Sequence, residues 1–338
     1  MKYIIHGAGA VGSAIGASLA KAGCDVTLVS RAPHVEAIKK QHGIYCSTLD
    51  GVFLQPINAV TTFSEVEITS DTVIFQTMKA NYTEASLEDL RDIDPDTPVV
   101  CWQNGVDNEA IVSKVFKRVY GGVVRFTATM LTPGETQFAG TGKLILGQYP
   151  EGVDNLTRQI VNDFSKTGYT VLASEKIMQD KWLKLCVNLI SCIKPMTIKT
   201  DTEPELRVKV CRCALEEGIF VLKKAGIKAI STNKTEDSAE TMLHNFDDAL
   251  ALAEGVGQSM PLLNSTYQSL AKHKKVLEND WYTGKIVDMG EKLGVPTPYN
   301  KAILYYLHYI AKHEMGPESV EVERIIEKAK EFTGEQPR

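Results

Sequence analysis

Apolar and polar positions follow two different periods along this chain. In the first half, short apolar runs are broken by turn residues: Lys2–His6 (KYIIH), Asp25–Ser30, Thr72–Thr77 (TVIFQT), Pro98–Trp102 (PVVCW), Tyr120–Thr132 and Leu144–Gly147. Runs such as TVIFQT are apolar at nearly every position, the pattern of strands buried on both faces of a parallel sheet. From about Ser174 the apolar positions recur at helical spacing, over Lys176–Ser191, Pro204–Ala225, Thr235–Ala253, Leu262–Lys274, Trp281–Leu293 and Pro298–His313. Within that half, Ile230–Asp237 reads as a polar loop. Gly294-Val-Pro-Thr-Pro298 reads as a break, glycine closing one helix and Thr297-Pro298 capping and starting the next. The predicted architecture is an α/β Rossmann-like domain over 1–173 followed by an all-α domain over 174–338, with an active site expected in the cleft between them.

The first strand runs directly into Gly7-Ala8-Gly9-Ala10-Val11-Gly12, and a helix-period segment, Ser13–Ala22, follows. In this order the motif builds a pyrophosphate site from backbone alone. Gly7 allows the tight turn, Gly9 lets phosphates approach the main chain, Gly12 lets helix and strand pack closely, and the helix N-terminus faces the anion. Small residues at Ala14, Gly16, Ala17 and Ala20 suit that packing, and Gly23 stands where a helix C-cap belongs. Asp25–Ser30 then completes a first βαβ half. At its tip, where a site for NAD places a carboxylate for the ribose 2′-hydroxyl, stand Ser30 and Arg31. A guanidinium in place of a carboxylate points to a 2′-phosphate and so to NADPH; a solvated surface arginine is the alternative.

Composition narrows the function classes. The chain has 338 residues, enough for two cores, and a net charge of −5 with no long basic run, against a nucleic-acid or anionic-membrane partner. Its seven cysteines (24, 46, 101, 186, 192, 211 and 213) form no CxxC pair, and Cys211-x-Cys213 is too isolated for a metal site, so no metal is expected. Scattered thiols, no signal-like leader and no apolar run of membrane-spanning length give a cytoplasmic expectation. The helical half has enough apolar residues for a homodimer.

Lys184 and Asn188 lie four apart in Asp180-Lys-Trp-Leu-Lys-Leu-Cys-Val-Asn188 and share a helix face. A lysine flanked by Leu183, Leu185 and Val187 is partly desolvated, which makes its proton easier to give up. Such a group suits proton delivery to a ketone receiving hydride. A solvated surface lysine is the ordinary alternative.

The GxGxxG strand, Lys79 in QTMKANY, Asn104 in WQNGVDN, Lys184 to Asn188 in KLCVN and Glu278 in LENDWYTG occur in an order that resembles the ketopantoate reductase family over nearly the whole chain. The resemblance implies reduction of 2-dehydropantoate to pantoate with NADPH, toward pantothenate and coenzyme A. It implies Lys184 as general acid and Asn188 as a substrate-binding residue one turn on. It implies Asn104 as a contact to cofactor and substrate, Lys79 near the cofactor ribose and phosphates, Glu278 near the nicotinamide ribose and the catalytic lysine, Ser265 as a substrate-carboxylate ligand, and Thr127 as a main-chain cofactor contact. Read from the residues alone, Asn104-Gly105 is also an ordinary turn, Glu278 a solvated charge and Ser265 a helix cap.

The chain also departs from the family pattern. Where members carry a second asparagine four residues after the first, followed by Pro-Leu-Thr, this chain has Cys192 by helical register, or Lys194 if Pro195 anchors the alignment. Ser265-Thr-Tyr-Gln268-Ser269 likewise keeps only part of a Ser-Met-x-Gln-Asp pattern, with an apparent one-residue insertion before Glu278. The reaction type is expected to hold while the substrate pocket differs. Two alternatives follow: a related NADP-dependent dehydrogenase acting on another 2-oxo acid or a sugar acid, and a non-catalytic NADPH sensor. In the first, the Lys194 ammonium would favour an acid with an extra anionic or polar group; in a plainer reading Lys194 reaches solvent.

Overall fold

The computed structural model describes residues 1–198, 204–232, 238–254 and 263–334. The chain divides into two compact units, one built essentially from Met1–Asp180 and the other from the helices that follow. The strands of the first unit are β1 (Lys2–His6), β2 (Asp25–Val29), β3 (Ile44–Thr48), β4 (Gly51–Gln55), β5 (Asn58–Val60), β6 (Thr72–Gln76), β7 (Val99–Cys101), β8 (Val119–Arg125), β9 (Ala128–Thr129), β10 (Glu135–Phe138), β11 (Gly142–Gln148) and β12 (Tyr169–Ala173). Its helices are α1 (Ala10–Lys21), α2 (Ala32–Gln41), α3 (Thr83–Ser86), α4 (Asn108–Val112) and α5 (Asn155–Phe164).

An eight-stranded sheet has the order β12-β11-β8-β7-β6-β1-β2-β5, and β4-β3-β10-β9 form a second, smaller sheet. All neighbours in the large sheet are parallel except β8 and β11. The register aligns His6 with Val29 on one side and with Gln76 on the other, and Gln76 with Cys101. Strands β1, β2, β6 and β7 therefore end level, and the loops after them emerge along one edge. Side chains alternate between the two faces: Tyr3, Ile5, Phe75 and Trp102 join one core cluster, Ile4, Ile74, Val99 and Cys101 the other. The chain leaves β1 toward β2 and later returns to β6 on the opposite side, which makes this edge a switch point where open α/β sheets bind ligands.

The strand expected over Tyr120–Thr132 is two strands. β8 pairs with β7 and β11 in the large sheet, whereas β9 pairs with β10 in the small one, so the chain must turn at Phe126-Thr127. The hairpin β3–β4 was not anticipated; its polar and apolar positions match neither a continuous apolar run nor a long alternation.

The second unit comprises α6 (Ile177–Ser191, begun in the first unit), α7 (Ile193–Met196), α8 (Pro204–Lys224), α9 (Ala239–His244), α10 (Phe246–Ala253), α11 (Ser265–Ala271), α12 (Thr283–Leu293), α13 (Pro298–His313) and α14 (Val322–Thr333). Helix α8 packs on α12, α13 and α14, burying Leu215, Ile219, Ile286, Ile303, Leu307 and Ile325. The single helix expected over Thr235–Ala253 is broken at Asn245, whose φ of −101° and ψ of 49° end α9; the expected starts at Thr235 and Leu262 lie outside the described residues. The helix expected from Trp281 begins at Thr283 after a short 3₁₀ turn, Glu278–Trp281. Gly294 closes α12 at φ +67°, as expected. Thr297 does not cap α13. The Glu217 carboxylate from α8 accepts the N–H groups of Tyr299 at 2.8 Å and Asn300 at 2.9 Å instead.

Among the described residues no helix is long and apolar enough to cross a membrane, and no group of three or more His, Cys, Asp or Glu is arranged to hold a metal ion.

Candidate active site

The glycine loop follows β1 with Gly7 at φ +81°, a left-handed conformation that a side chain would strain, and a Cβ there would lie 2.7 Å from the Met78 Cβ. A Cβ on Gly12 would lie 2.3 Å from the Thr77 Oγ1, so this glycine sets the close approach of α1 to the sheet. Gly9 differs from both: a Cβ built on it meets only the Gly7 carbonyl oxygen, at 3.8 Å. Open space lies at the residue through which phosphates would approach. Gly9 is also the N-cap of α1 and brings no capping side chain, and the first turn holds no acidic residue. The amides of Ala10, Val11 and Gly12 are thus the first-turn donors of a helix start that favours an anion.

A buried network holds this loop. The Ser30 hydroxyl donates to the Ala8 carbonyl at 3.1 Å and the Ser13 hydroxyl to the same oxygen at 3.4 Å. His34 Nε2 stands 3.1 Å from Ser13 Oγ, and its Nδ1 accepts the Gly134 N–H at 2.9 Å. Burial, with the nearby Arg31 guanidinium, lowers the His34 pKa to about 4, so the ring is neutral near pH 7. Arg31 is exposed at the N-cap of α2, where guanidinium and helix start present the same positive sign.

Lys79 and Asn104 follow β6 and β7 on the same edge, both partly buried. The loop after β7 has its own scaffold. Gln103 Nε2 donates to Gln76 Oε1 at 3.1 Å and to Thr83 Oγ1 at 3.2 Å; Thr83 donates to Asn108 Oδ1 at 2.7 Å; Asn108 Nδ2 donates to the Asn104 carbonyl at 2.7 Å. Thr127, partly buried, lies beyond the end of β8. The first unit therefore carries the residues of Gly7–Gly12, Arg31, Lys79, Asn104 and Thr127 on loops after successive strands. A cavity of about 860 Å³ lined by Lys2, Asp25, Lys39, Asn58 and Glu65 opens where strands β1, β2 and β5 begin, away from these loops.

Lys184, Asn188, Ser265 and Glu278 stand in the second unit. On α6, Lys184 is partly buried and Asn188 buried one turn later. Asn188 Nδ2 is out of contact with water and has no hydrogen-bond partner among the described residues. A buried amide donor left unsatisfied costs about 1–3 kcal/mol, which a ligand oxygen would recover. Ser265 donates to Glu278 Oε2 at 3.1 Å, and Glu278 is only 5% exposed. The cap of α11 is Asn264, whose Oδ1 accepts the Tyr267 N–H at 2.9 Å while its Nδ2 donates to the Ser191 carbonyl at 3.0 Å. Ser265 is thus turned to Glu278 rather than to its own helix, and the start of α11 is tied to the end of α6.

Residues 3–151 match the family described as Ketopantoate reductase PanE/ApbA, and residues 176–311 match its C-terminal domain. The chain belongs to the ketopantoate reductase family. Among its relatives, a 2-dehydropantoate 2-reductase of Pyrococcus abyssi is 30% identical over 89% of this chain and 94% of its own length, and one of Pyrococcus horikoshii is 29% identical over 94% and 99%. A solved ketopantoate reductase of Ralstonia eutropha JMP134 matches with TM-score 0.77 and 25% identity, over 93% of this chain and 100% of that one. A D-mandelate dehydrogenase solved as a ternary structure with NADH and anilino(oxo)acetate matches with TM-score 0.78 and 26% identity over the same shares.

The departures from the ketopantoate reductase pattern have definite surroundings. Cys192 is fully buried and its thiol donates to the Leu189 carbonyl at 3.3 Å. Burial raises the thiol pKa to about 12. Asn279 Nδ2 and Thr283 Oγ1, both buried, have no hydrogen-bond partner among the described residues. Lys194 does not simply reach for solvent: its ammonium is 3.3 Å from Glu254 Oε2, while Arg207 meets Glu254 Oε1 at 2.8 Å. Sequence reasoning missed Asn279, although an amide directly after Glu278 was its visible trace.

Proposed function

We propose that this chain reduces 2-dehydropantoate to pantoate with NADPH, in the cytoplasm and as a homodimer. A ketopantoate reductase of the same fold from Staphylococcus aureus is described as dimeric. The observation that carries the reading is the buried, unpartnered Asn188 amide one turn beyond Lys184 on α6. It is a donor awaiting an oxygen, placed beside a lysine suited to proton delivery. The open approach at Gly9 and the free face of the α1 start fit a dinucleotide pyrophosphate, and Arg31 without a neighbouring carboxylate fits a 2′-phosphate.

When bound, NADPH supplies a hydride to the carbonyl carbon of the 2-oxo acid. Lys184 delivers the proton to the developing alkoxide and, while charged, stabilises it. Asn188 orients the substrate through its amide, and the Ser265 hydroxyl exchanges its bond to Glu278 for one donated to the substrate carboxylate. Asn104, with its carbonyl fixed by Asn108, holds its side chain at the sheet edge for cofactor and substrate; Lys79 and the main chain at Thr127 complete the cofactor contacts, with Glu278 facing the nicotinamide ribose.

A second reading is favoured by the buried sulfur at position 192: the same chemistry on another 2-oxo acid. The test is NADPH oxidation followed by absorbance with purified protein, 2-dehydropantoate and a panel of 2-oxo acids. Selective turnover of 2-dehydropantoate is expected. Selective turnover of another acid would transfer the assignment to the second reading, and NADPH binding without turnover would leave a sensor.

A further inference from the structure

The His34 network reaches the phosphate loop with a proton order that the geometry fixes. A backbone N–H can only donate, so the bond from Gly134 to His34 Nδ1 makes that nitrogen an acceptor. The ring proton then sits on Nε2 and is donated to Ser13 Oγ. With its oxygen accepting from the ring, the Ser13 hydroxyl has its proton free for the Ala8 carbonyl. Ala8 lies between Gly7 and Gly9, and its carbonyl shares a peptide plane with the Gly9 N–H. Tying the carbonyl inward turns its negative end away from an anion; the Gly9 N–H is itself held by the Gly7 carbonyl at 2.6 Å, so the donors left facing the phosphate are those of Ala10, Val11 and Gly12 at the start of α1.

We propose that His34 is a positioning residue of the cofactor site: through Ser13, and together with the Ser30 hydroxyl on the same oxygen, it holds the Ala8–Gly9 peptide in the orientation that receives a pyrophosphate. This rests on the reading of Gly7–Gly12 as a dinucleotide site. His34 comes from α2, 21 residues beyond Ser13, and Gly134 from the turn before β10, a further 100 residues beyond His34, so the loop is braced by distant parts of the chain. Only a neutral ring can hold both ends, and burial keeps His34 in that form near neutral pH. Gly134 is further tied to α2 by Gln41 Nε2, which donates to its carbonyl at 2.6 Å, so the acceptor geometry at His34 Nδ1 does not depend on a loose turn.

The experiment compares two ligands in His34→Ala, Ser13→Ala and the double variant: NADPH, which carries the pyrophosphate, and adenosine 2′-monophosphate, which lacks it. NADPH affinity is expected to fall about tenfold in each single variant, the size of one lost hydrogen bond to an ordered loop. Adenosine 2′-monophosphate should bind within about twofold of wild type, and the double variant should lose little more than either single one, because both act on one chain of bonds. NMR of the ring nitrogens should place the His34 proton on Nε2. Equal losses for both ligands, unchanged NADPH affinity, or losses that multiply in the double variant would overturn the inference. If His34→Ala fails to fold, Ser13→Ala, which removes one hydroxyl, decides between the same outcomes. Wild-type protein that binds no dinucleotide overturns the cofactor reading together with the inference, whereas wild-type binding with unaltered variants overturns the inference alone.

Discussion

Replacing Gly9 and Gly12 by alanine puts the same methyl group into two different surroundings three residues apart. At Gly9 the backbone is extended, with φ −87°, and the added carbon meets nothing nearer than 3.8 Å. The ligand-free chain therefore tolerates Gly9→Ala and gains about 0.4–1 kcal/mol from a less flexible unfolded state. A bound pyrophosphate does not tolerate it, because the methyl occupies the approach; displacement by an overpacked atom costs about 1–3 kcal/mol, or roughly tenfold to a hundredfold in NADPH affinity. At Gly12 the new carbon would stand 2.3 Å from Thr77 Oγ1 and 3.0 Å from Ile5 Cγ2. Thr77 cannot swing aside freely, since its hydroxyl donates toward the carbonyls of His6 at 3.1 Å and Gly7 at 3.2 Å.

Gly12→Ala thus destabilises the ligand-free chain by about 1–3 kcal/mol of overpacking, offset by about 1 kcal/mol of helix propensity. A net loss near 1 kcal/mol lowers the melting temperature by roughly 2–4 °C. The assay is a thermal melt without nucleotide together with an NADPH titration on both variants. The reasoning fails if Gly9→Ala melts below wild type by as much as Gly12→Ala, or if Gly9→Ala binds NADPH with wild-type affinity.

Lys184→Ala should lower kcat by about 10²–10⁴ with little change in NADPH affinity, the signature of a lost general acid; near-normal turnover in steady-state assays would remove Lys184 from the mechanism. Arg31→Ala should cost NADPH about one to two decades of kcat/KM while leaving NADH nearly unchanged, the worth of a charge-assisted hydrogen bond; equal losses with both nucleotides would count against a 2′-phosphate contact. Burial raises the Glu217 pKa from 4.5 to about 7 in spite of its bonds to the α13 amides. The folded state then holds this proton more tightly than the unfolded chain, so the contribution is full below about pH 4.5 and is lost as pH rises toward 7, by up to ~3 kcal/mol. Melts across that window should show a slope in wild type that Glu217→Gln flattens, and parallel profiles would refute the assignment. Lys194→Met should leave relative kcat/KM across 2-oxo acids within about twofold, since Glu254 already engages the ammonium; a changed preference would return Lys194 to the substrate pocket.

What was legible in the sequence had local physical causes. A strand, three glycines and a helix of small residues decide their own geometry within about twenty residues, and Lys184 with Asn188 needs only helical spacing. The structure adds what depends on distant partners. Glu217 caps α13 from 82 residues away, a choice that Thr297, a good capping residue in the right place, concealed. The strand expected over Tyr120–Thr132 divides because two sheets compete for it, and a single stretch of sequence does not reveal that competition. Neither His34 nor its helix α2 was singled out in the sequence, since nothing near it in the chain announces Ser13 or Gly134. The same logic applies to position 192, just past the end of α6, where the helical register sets a cysteine against a family-pattern asparagine. Seen in isolation, the change removes an amide from the row formed by Lys184 and Asn188. In the fold, the Cys192 thiol donates to the Leu189 carbonyl at 3.3 Å, while the buried Asn279 Nδ2 and Thr283 Oγ1 find no partner among the described residues. Two such buried polar atoms, close in the chain to Glu278, give this part of the second unit a polar character that the cysteine alone would have denied it.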